Sequence, residues 1–193
     1  MTGYPSPVAI AASLLLRNAG TRRMEQSAPT EDQGRAGILK KNEPALRAVS
    51  EPVPQGKDMT QLVTLMRELM NSNTPKGAGL AANQVGSTWR VIVLGGEGTG
   101  MGVEVDIINP VITKASKNMF DSVETCLSCP GVEVKVRRHK QVTVCGFDLD
   151  WNPVKLKMRG FNAACVQHEN DHLDGITLLT RQQDAELAKI VKR

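Results

Sequence analysis

The chain has 193 residues, 40% of them hydrophobic, which is enough for one well-packed core and too little for two full domains. A formal charge of +4 is mildly basic, but aromatics at 3% offer few rings on which bases could stack, which argues against a dedicated nucleic-acid binder and leaves only weak attraction to an RNA-rich partner. Four cysteines, unevenly spaced, do not make a secreted disulfide scaffold, and the longest apolar run, Val8 to Leu16, falls well short of the roughly 20 residues that cross a bilayer.

Residues 1–36 are rich in Gly, Pro, Ser, Thr and Ala and carry no periodic apolar face, so they are expected to stay outside the core as an extension. Arg17, Arg22 and Arg23 follow the short apolar run instead of preceding it, and no acid occurs before Glu25. That pattern is unlike a secretory signal; an organellar transit peptide and an overlong start upstream of Met24 fit it equally.

The domain proper is expected over residues 37–193. Asp58 followed by Gln61 resembles a capping box, and Met59, Leu62, Val63, Met66, Leu69 and Met70 share one face, which predicts a helix over 58–72. Its methionines have the spacing of a buried stripe and read as core filling. Gly77 to Ala82 satisfies G-x-G-x-x-A, but a dinucleotide fingerprint needs a strand just before it and here a helix precedes. Gly77 and Gly79 are better explained by close approach of a bound peptide to the backbone.

Five β-rich runs follow: Arg90 to Leu94, Val103 to Asn109, Val132 to Val136, Gln141 to Phe147 and Val154 to Met158. The glycine cluster between the first two, residues 95–102, reads as a hairpin loop. His139, with Arg137, Arg138 and Lys140 around it, reads as a solvated loop, and Cys145, alternating with Val142 and Val144, as strand packing. A helix is predicted over 162–173, stopped by Gly175, and a last one over 180–191. Strands followed by helices, with one helix early, give a single α+β domain: small, mostly antiparallel sheets around a central helix.

That central helix carries His168-Glu169-Asn170-Asp171-His172, an H-E-x-x-H run. Positions i and i+4 lie on one helical face, so both imidazoles can reach one metal ion while Glu169 stands beside it to take a proton from water. A catalytic site needs a third ligand. The ordinary downstream position offers no histidine, whereas upstream Cys126 can supply a thiolate. Ala164 and Cys165, one turn before His168, and Phe161, a turn earlier, face the metal side and could line a side-chain pocket. The rival reading is a closed structural Cys₂His₂ zinc site formed by Cys126, Cys129, His168 and His172, a non-catalytic binding module in which Glu169 has no role. A thioredoxin-like use of Cys126 and Cys129 would need a strand before and a helix after the pair, and neither is evident.

Three ordered motifs resemble the peptide deformylase family. Gly77-Ala78-Gly79-Leu80-Ala81-Ala82-Asn83-Gln84 is similar to its G-x-G-x-A-A-x-Q, Glu124 to Ser128 to its E-G-C-L-S, and Gln167 to His172 to its Q-H-E-x-D-H. The resemblance implies removal of the formyl group from the N-terminal formyl-methionine of newly made proteins. It implies Cys126, His168 and His172 as metal ligands, Glu169 as general acid/base, and Gln84 with the Leu127 backbone N–H as oxyanion donors. It also implies Fe(II), with zinc, nickel or cobalt as substitutes; ligand chemistry alone would have given zinc. The expected partners are formylated nascent peptides and the ribosome, with no DNA and no membrane, for a monomer in the cytoplasm, or in a mitochondrion or plastid if residues 1–36 are a transit peptide. One position departs from the pattern: Thr125 stands where the family has glycine, which could alter a backbone angle or the substrate path.

Overall fold

The computed structural model describes residues 37–95 and 100–191. The expectations for residues 1–36, and for the tip of the glycine loop at 96–99, lie outside them. After a short 3₁₀ turn at Pro44–Arg47, helix α1 runs Thr60–Ser72. It begins just after Asp58, whose Oδ1 accepts a hydrogen bond from the Thr60 N–H at 2.9 Å and so satisfies one of the orphan donors of the first turn. Strands β1 (Gly79–Ala81), β2 (Val91–Leu94), β3 (Val105–Ala115), β4 (Met119–Cys126), β5 (Cys129–His139), β6 (Gln141–Phe147) and β7 (Pro153–Arg159) follow. Helices α2 (Gly160–Leu173) and α3 (Leu178–Val191) close the chain.

Five strands form one antiparallel sheet in the order β1-β2-β3-β6-β7, and β4 pairs with β5 in a separate two-stranded sheet. In β2 every residue is buried because the strand is covered on both faces. Val91 and Val93 point into a cluster with Met59, Leu62, Val63, Met66 and Met70 of the α1 side. Ile92 and Leu94 point the other way, into a cluster with Ala163, Cys165, Val166 and Leu173 of α2. This double burial is why the run reads Val-Ile-Val-Leu without polar alternation. Each such fully buried aliphatic side chain contributes roughly 1.5–3 kcal/mol relative to exposure. A third, smaller cluster of Cys126, Cys129, Val134, Val136 and Leu178 ties the two-stranded sheet to α3. Helix α2 thus lies between the two sheets, touching β1, β2, β6 and β7 of one and β5 of the other. The α+β architecture matches the sequence expectation.

Several elements differ from that expectation. Strand β4 has no counterpart in the predicted runs, and β5 extends three residues further at each end. The predicted solvated loop around His139 is strand instead, and Arg138 is only 4% exposed. His139 Nδ1 hydrogen-bonds the Ser116 carbonyl at 2.7 Å. The predicted hairpin between β2 and β3 is present, with Leu94 opposite Val105. Helix α2 ends as expected: Gly175 takes a left-handed φ of 72°, and its N–H reaches the His172 carbonyl at 3.0 Å. No helix among the described residues is long and apolar enough to cross a membrane.

Candidate active site

The α2 helix presents His168 and His172 from one face, 4.9 Å apart between ring centroids. Cys126 comes from the last position of β4. One ligand atom from each of these three residues lies within 4.8 Å of the other two, and Cys126 Sγ stands 3.3 Å from His172 Nε2. Cys129 is not part of that group, so among the described residues the geometry assembles three candidate ligands and not a closed set of four. One thiolate and two imidazoles are a donor set suited to a borderline divalent transition metal with a position left open.

A buried carboxylate fixes the ring that α2 alone would leave free to rotate. His168 Nδ1–H donates to Glu124 Oε2 at 3.0 Å, which turns Nε2 toward the ligand group. Glu124 is held in turn by Arg138, whose Nε and Nη2 donate to its two oxygens at 2.9 Å each. Arg138 also pairs with Asp171 at 2.6 Å, and Asp171 with Arg181 at 2.9 Å. Burial alone would raise the Glu124 carboxyl, but the hydrogen bonds from Arg138 and His168 outweigh it and hold the group down at about 2. Burial lowers His172 well below the usual imidazole range, leaving it neutral with a lone pair to offer. The Cys129 thiol beside it, burial and the charge of Glu169 all push the Cys126 thiol up, a bias that a bound cation reverses.

Glu169 is 3% exposed, and its Oε2 has no hydrogen-bond partner among the described residues. Burial pushes its carboxyl up to about 7, close to the value a proton shuttle needs near neutral pH. Gly79 makes room for it, since a Cβ there would lie 2.6 Å from Glu169 Oε1. At Gly77 a Cβ would meet Leu127 Cδ1 at 2.7 Å. The space these glycines leave open is therefore filled by Glu169 and Leu127, a reason different from the peptide approach inferred from the sequence. Gln84 sits in a second 3₁₀ turn, Ala82–Val85. Its Oε1 accepts the Ala81 N–H at 2.8 Å, which fixes the amide so that Nε2 points at Ser128 Oγ (3.1 Å) and toward Cys126 Sγ (3.6 Å).

Cys126, His168, Glu169 and Gln84 open onto one cleft of about 540 Å³, which Gly77, Gly79, Leu127, Phe161, Ala164 and Cys165 also line, while His172 lies behind them. Phe161 is 56% exposed at its mouth, while Ala164 and Cys165 are buried in its wall. Thr125 lies in β4 opposite Glu133 and is not among the residues with positive φ, so replacing glycine there imposes no left-handed backbone; its exposed side chain joins the cleft wall. The sequence motifs give no role to Glu124, Asp171 or Ser128, and Arg138 stands there in a basic cluster that reads as solvated or, with Arg137, as a contact for a peptide carbonyl. A ligating histidine regularly has its second nitrogen held by a carboxylate, and that rule singles out Glu124 once the fold brings it beside His168.

Comparison with known proteins agrees with this geometry. The polypeptide deformylase family model matches residues 36–188. Peptide deformylase 1 of Prochlorococcus marinus is 35% identical over 156 residues, 77% of this chain and 81% of that protein. The crystal structure of PDF from the Vibrio parahaemolyticus bacteriophage VP16T, in complex with actinonin, has a TM-score of 0.68 at 41% identity, covering 74% of this chain and 99% of that one. The Met-Ala-Ser-bound class I type b peptide deformylase of Acinetobacter baumannii has a TM-score of 0.70 at 30% identity, covering 78% and 99%. The chain therefore belongs to the polypeptide deformylase family, hydrolases that remove the formyl group from the N-terminal methionine of newly made proteins.

Proposed function

We propose that Cys126, His168 and His172 hold a single divalent ion, Fe(II) by the family resemblance, with zinc, nickel or cobalt as substitutes, and that Glu169, Gln84 and the Leu127 N–H carry out formyl-amide hydrolysis beside it. The observation that carries this reading is the convergence of three ligand atoms within 4.8 Å, with a buried, partly unpartnered carboxylate next to them. Bound there, the metal supplies Lewis acidity that makes water a competent nucleophile near neutral pH. Glu169 takes the water's proton as the formyl carbon is attacked and returns it to the departing amine nitrogen. Gln84 Nε2, aimed by the Ala81 N–H, and the Leu127 N–H receive the developing oxyanion, a contribution of about 3 kcal/mol per donor in comparable sites.

The cleft also suits an extended peptide. Among the described residues β1 is the edge of the five-stranded sheet and β4 pairs only with β5, so each has an unpaired edge, and residues of both line the cleft. A nascent N-terminus laid between them can add main-chain hydrogen bonds while its methionine side chain enters the wall formed by Phe161, Ala164 and Cys165. Gly77 and Gly79 border the path of that peptide.

The test is anaerobic purification with metal analysis and a formate-release assay on formyl-Met-Ala-Ser. Stoichiometric metal with formate release is expected; stoichiometric metal without release from this or related formyl peptides overturns the assignment. The chain is proposed to act as a monomer on peptides emerging from the ribosome, in the cytoplasm. Fusing residues 1–36 to a fluorescent reporter tests the compartment: diffuse signal supports the cytoplasm, and import into a mitochondrion or plastid replaces it with an organelle.

A further inference from the structure

We propose that Cys126 and Cys129 form an oxidation site in which a peroxide converts the two thiols to a disulfide and thereby removes Cys126 from the metal ligand set. The inference rests on the ligand role proposed above for Cys126. Its geometric basis is the tight turn at the end of the two-stranded sheet, where the ladder shifts register after Thr125 and Cys126 becomes the backbone partner of Cys129 across Leu127-Ser128. Opposed residues of an antiparallel pair have Cα atoms roughly 4.5–5.5 Å apart. That falls inside the span of roughly 4.4–6.8 Å that a disulfide bridges without moving backbone.

Access and isolation point the same way. Both residues line the catalytic cleft, so a small oxidant reaches them without unfolding, although the side chains are otherwise buried. All four cysteines are free thiols. The other two have separate surroundings: Cys145 lies on β6 against Thr113 Oγ1, and Cys165 lies in the α2 wall. Cys129 is outside the ligand group, so it is a free thiol held against a metal-binding one. The formyl-hydrolysis reading gives it no role.

The chemistry balances in two steps. The Cys129 sulfur attacks one oxygen of the peroxide, the O–O bond breaks, water leaves and a sulfenic acid remains. The Cys126 thiolate then attacks the sulfenic sulfur, an S–S bond forms, and the hydroxyl leaves, taking a proton from solvent to become a second water. The two sulfurs give up two electrons, and one hydrogen peroxide with that solvent proton and the Cys129 thiol proton becomes two waters. A disulfide sulfur carries no charge to donate, so two imidazoles are left as ligands, too few for a stable site. A dithiol reductant reverses the bridge and restores the third ligand.

The experiment uses the full chain loaded with cobalt(II), titrated anaerobically with hydrogen peroxide. Free thiols, intact mass, released cobalt and, by peptide mapping, the cross-linked segment are followed together. Expected are loss of two of the four thiols, a mass lower by about 2 Da, and one cobalt released per bridge, all restored by dithiothreitol and fresh cobalt. The Cys129→Ser variant is expected to keep its cobalt at the dose that unloads half of the wild type. Unloading of Cys129→Ser with the wild-type dose response, or oxygen adducts on Cys126 with no bridge, overturns the proposal. The ligand reading is tested separately in the reduced state: if Cys126→Ser binds cobalt as tightly as wild type, that reading fails and the coupling fails with it. Peroxide treatment of the metal-free protein then still decides whether the bridge forms.

Discussion

On one face of the five-stranded sheet, α1 buries Leu62, Val63, Met66 and Met70 and leaves Thr60, Gln61, Thr64 and Glu68 exposed. On the other face, α2 buries Gln167, His168, Glu169, Asn170 and His172 beside Ala163, Cys165 and Val166. The first helix is held by apolar area removed from water. The second buries polar groups that each need a partner, and most have one: His168 on Glu124, Gln167 on the Ala163 and His139 carbonyls, and the His172 carbonyl on the Asn83 amide. The groups left over are informative. Glu169 Oε2 and His172 Nδ1 are buried without partners among the described residues, and both belong to the residues to which the chemistry is assigned. Stability and reactivity are thus divided between two helices on one sheet.

The sharpest way to break that division is Glu169→Gln. With the carboxylate assigned to proton transfer and not to coordination, kcat is expected to fall on the order of 10²–10⁴-fold while metal content and Tm stay within error of wild type. Formate-release kinetics with metal analysis and a thermal melt on the same preparation read both sides. Near-normal turnover would remove Glu169 from the mechanism; loss of metal would make it a ligand.

Met66→Ala probes the other helix. Met66 is fully buried in the cluster that joins α1 to β2, and truncating it should cost about 2–5 kcal/mol of stability through lost burial and a cavity. The folded fraction should keep its kcat. A urea midpoint that does not move, or a specific activity that falls below the folded fraction, would show that the two helices are not separable in this way.

Glu124→Gln lies between the two plans, since it acts through His168. The amide keeps one acceptor for the imidazole but gives up the paired charge with Arg138, which is left buried against Asp171 alone. Metal affinity is expected to drop about 10–100-fold, the usual cost of losing an orienting partner behind a ligand. Competition with a chelator of known affinity measures it. The apo protein's circular dichroism shows whether the loss is local, and an unchanged affinity would reduce Glu124 to a structural ion pair.

The same contrast explains how much could be read from the chain. α1 was legible because its apolar residues recur with the helical period, and α2 because His168, Glu169 and His172 have the spacing of a metal-binding turn. Strand β4 was not legible because its alternation is inverted: Ser122, Glu124 and Cys126 point inward, and Val123 is 58% exposed. A pattern search expects the apolar set inside, but here the inner face of the strand carries Cys126 of the proposed metal site and Glu124 behind His168. Arg138 was misread for a related reason. Among Arg137, His139 and Lys140 it resembles its solvated neighbours, and only the pairing of β5 with β4 reveals that it points at Glu124, while Arg137 stays exposed. Local sequence could not show which of two adjacent arginines faces inward, because that depends on strand register.

The smallest expected effect, at Thr125, tests where the boundary between the two plans lies. Thr125 is on the outward face of β4, next to the proposed ligand Cys126 and to the strand edge proposed to receive the peptide. Its φ is not positive although the ladder shifts register just after it, so Thr125→Gly relieves no left-handed backbone; it removes a β-branched side chain that suits the strand and should cost at most about 1 kcal/mol. In function, the change widens one wall of the cleft without touching a ligand, Glu169 or Gln84. The expected result is a shift in KM of about threefold, worth about 0.7 kcal/mol, with kcat unchanged, since uniform binding is altered and the reacting groups are not. The shift should be larger for formyl-methionyl peptides with a bulky second residue than for one with alanine there, because the second side chain of an extended peptide leaves the methionine pocket and passes the outer wall. Steady-state kinetics on that pair of peptides decides the point. A fall in kcat with KM unchanged would mean that Thr125 acts through Cys126 or the Leu127 N–H, and would move the boundary of the reacting site one residue outward along β4.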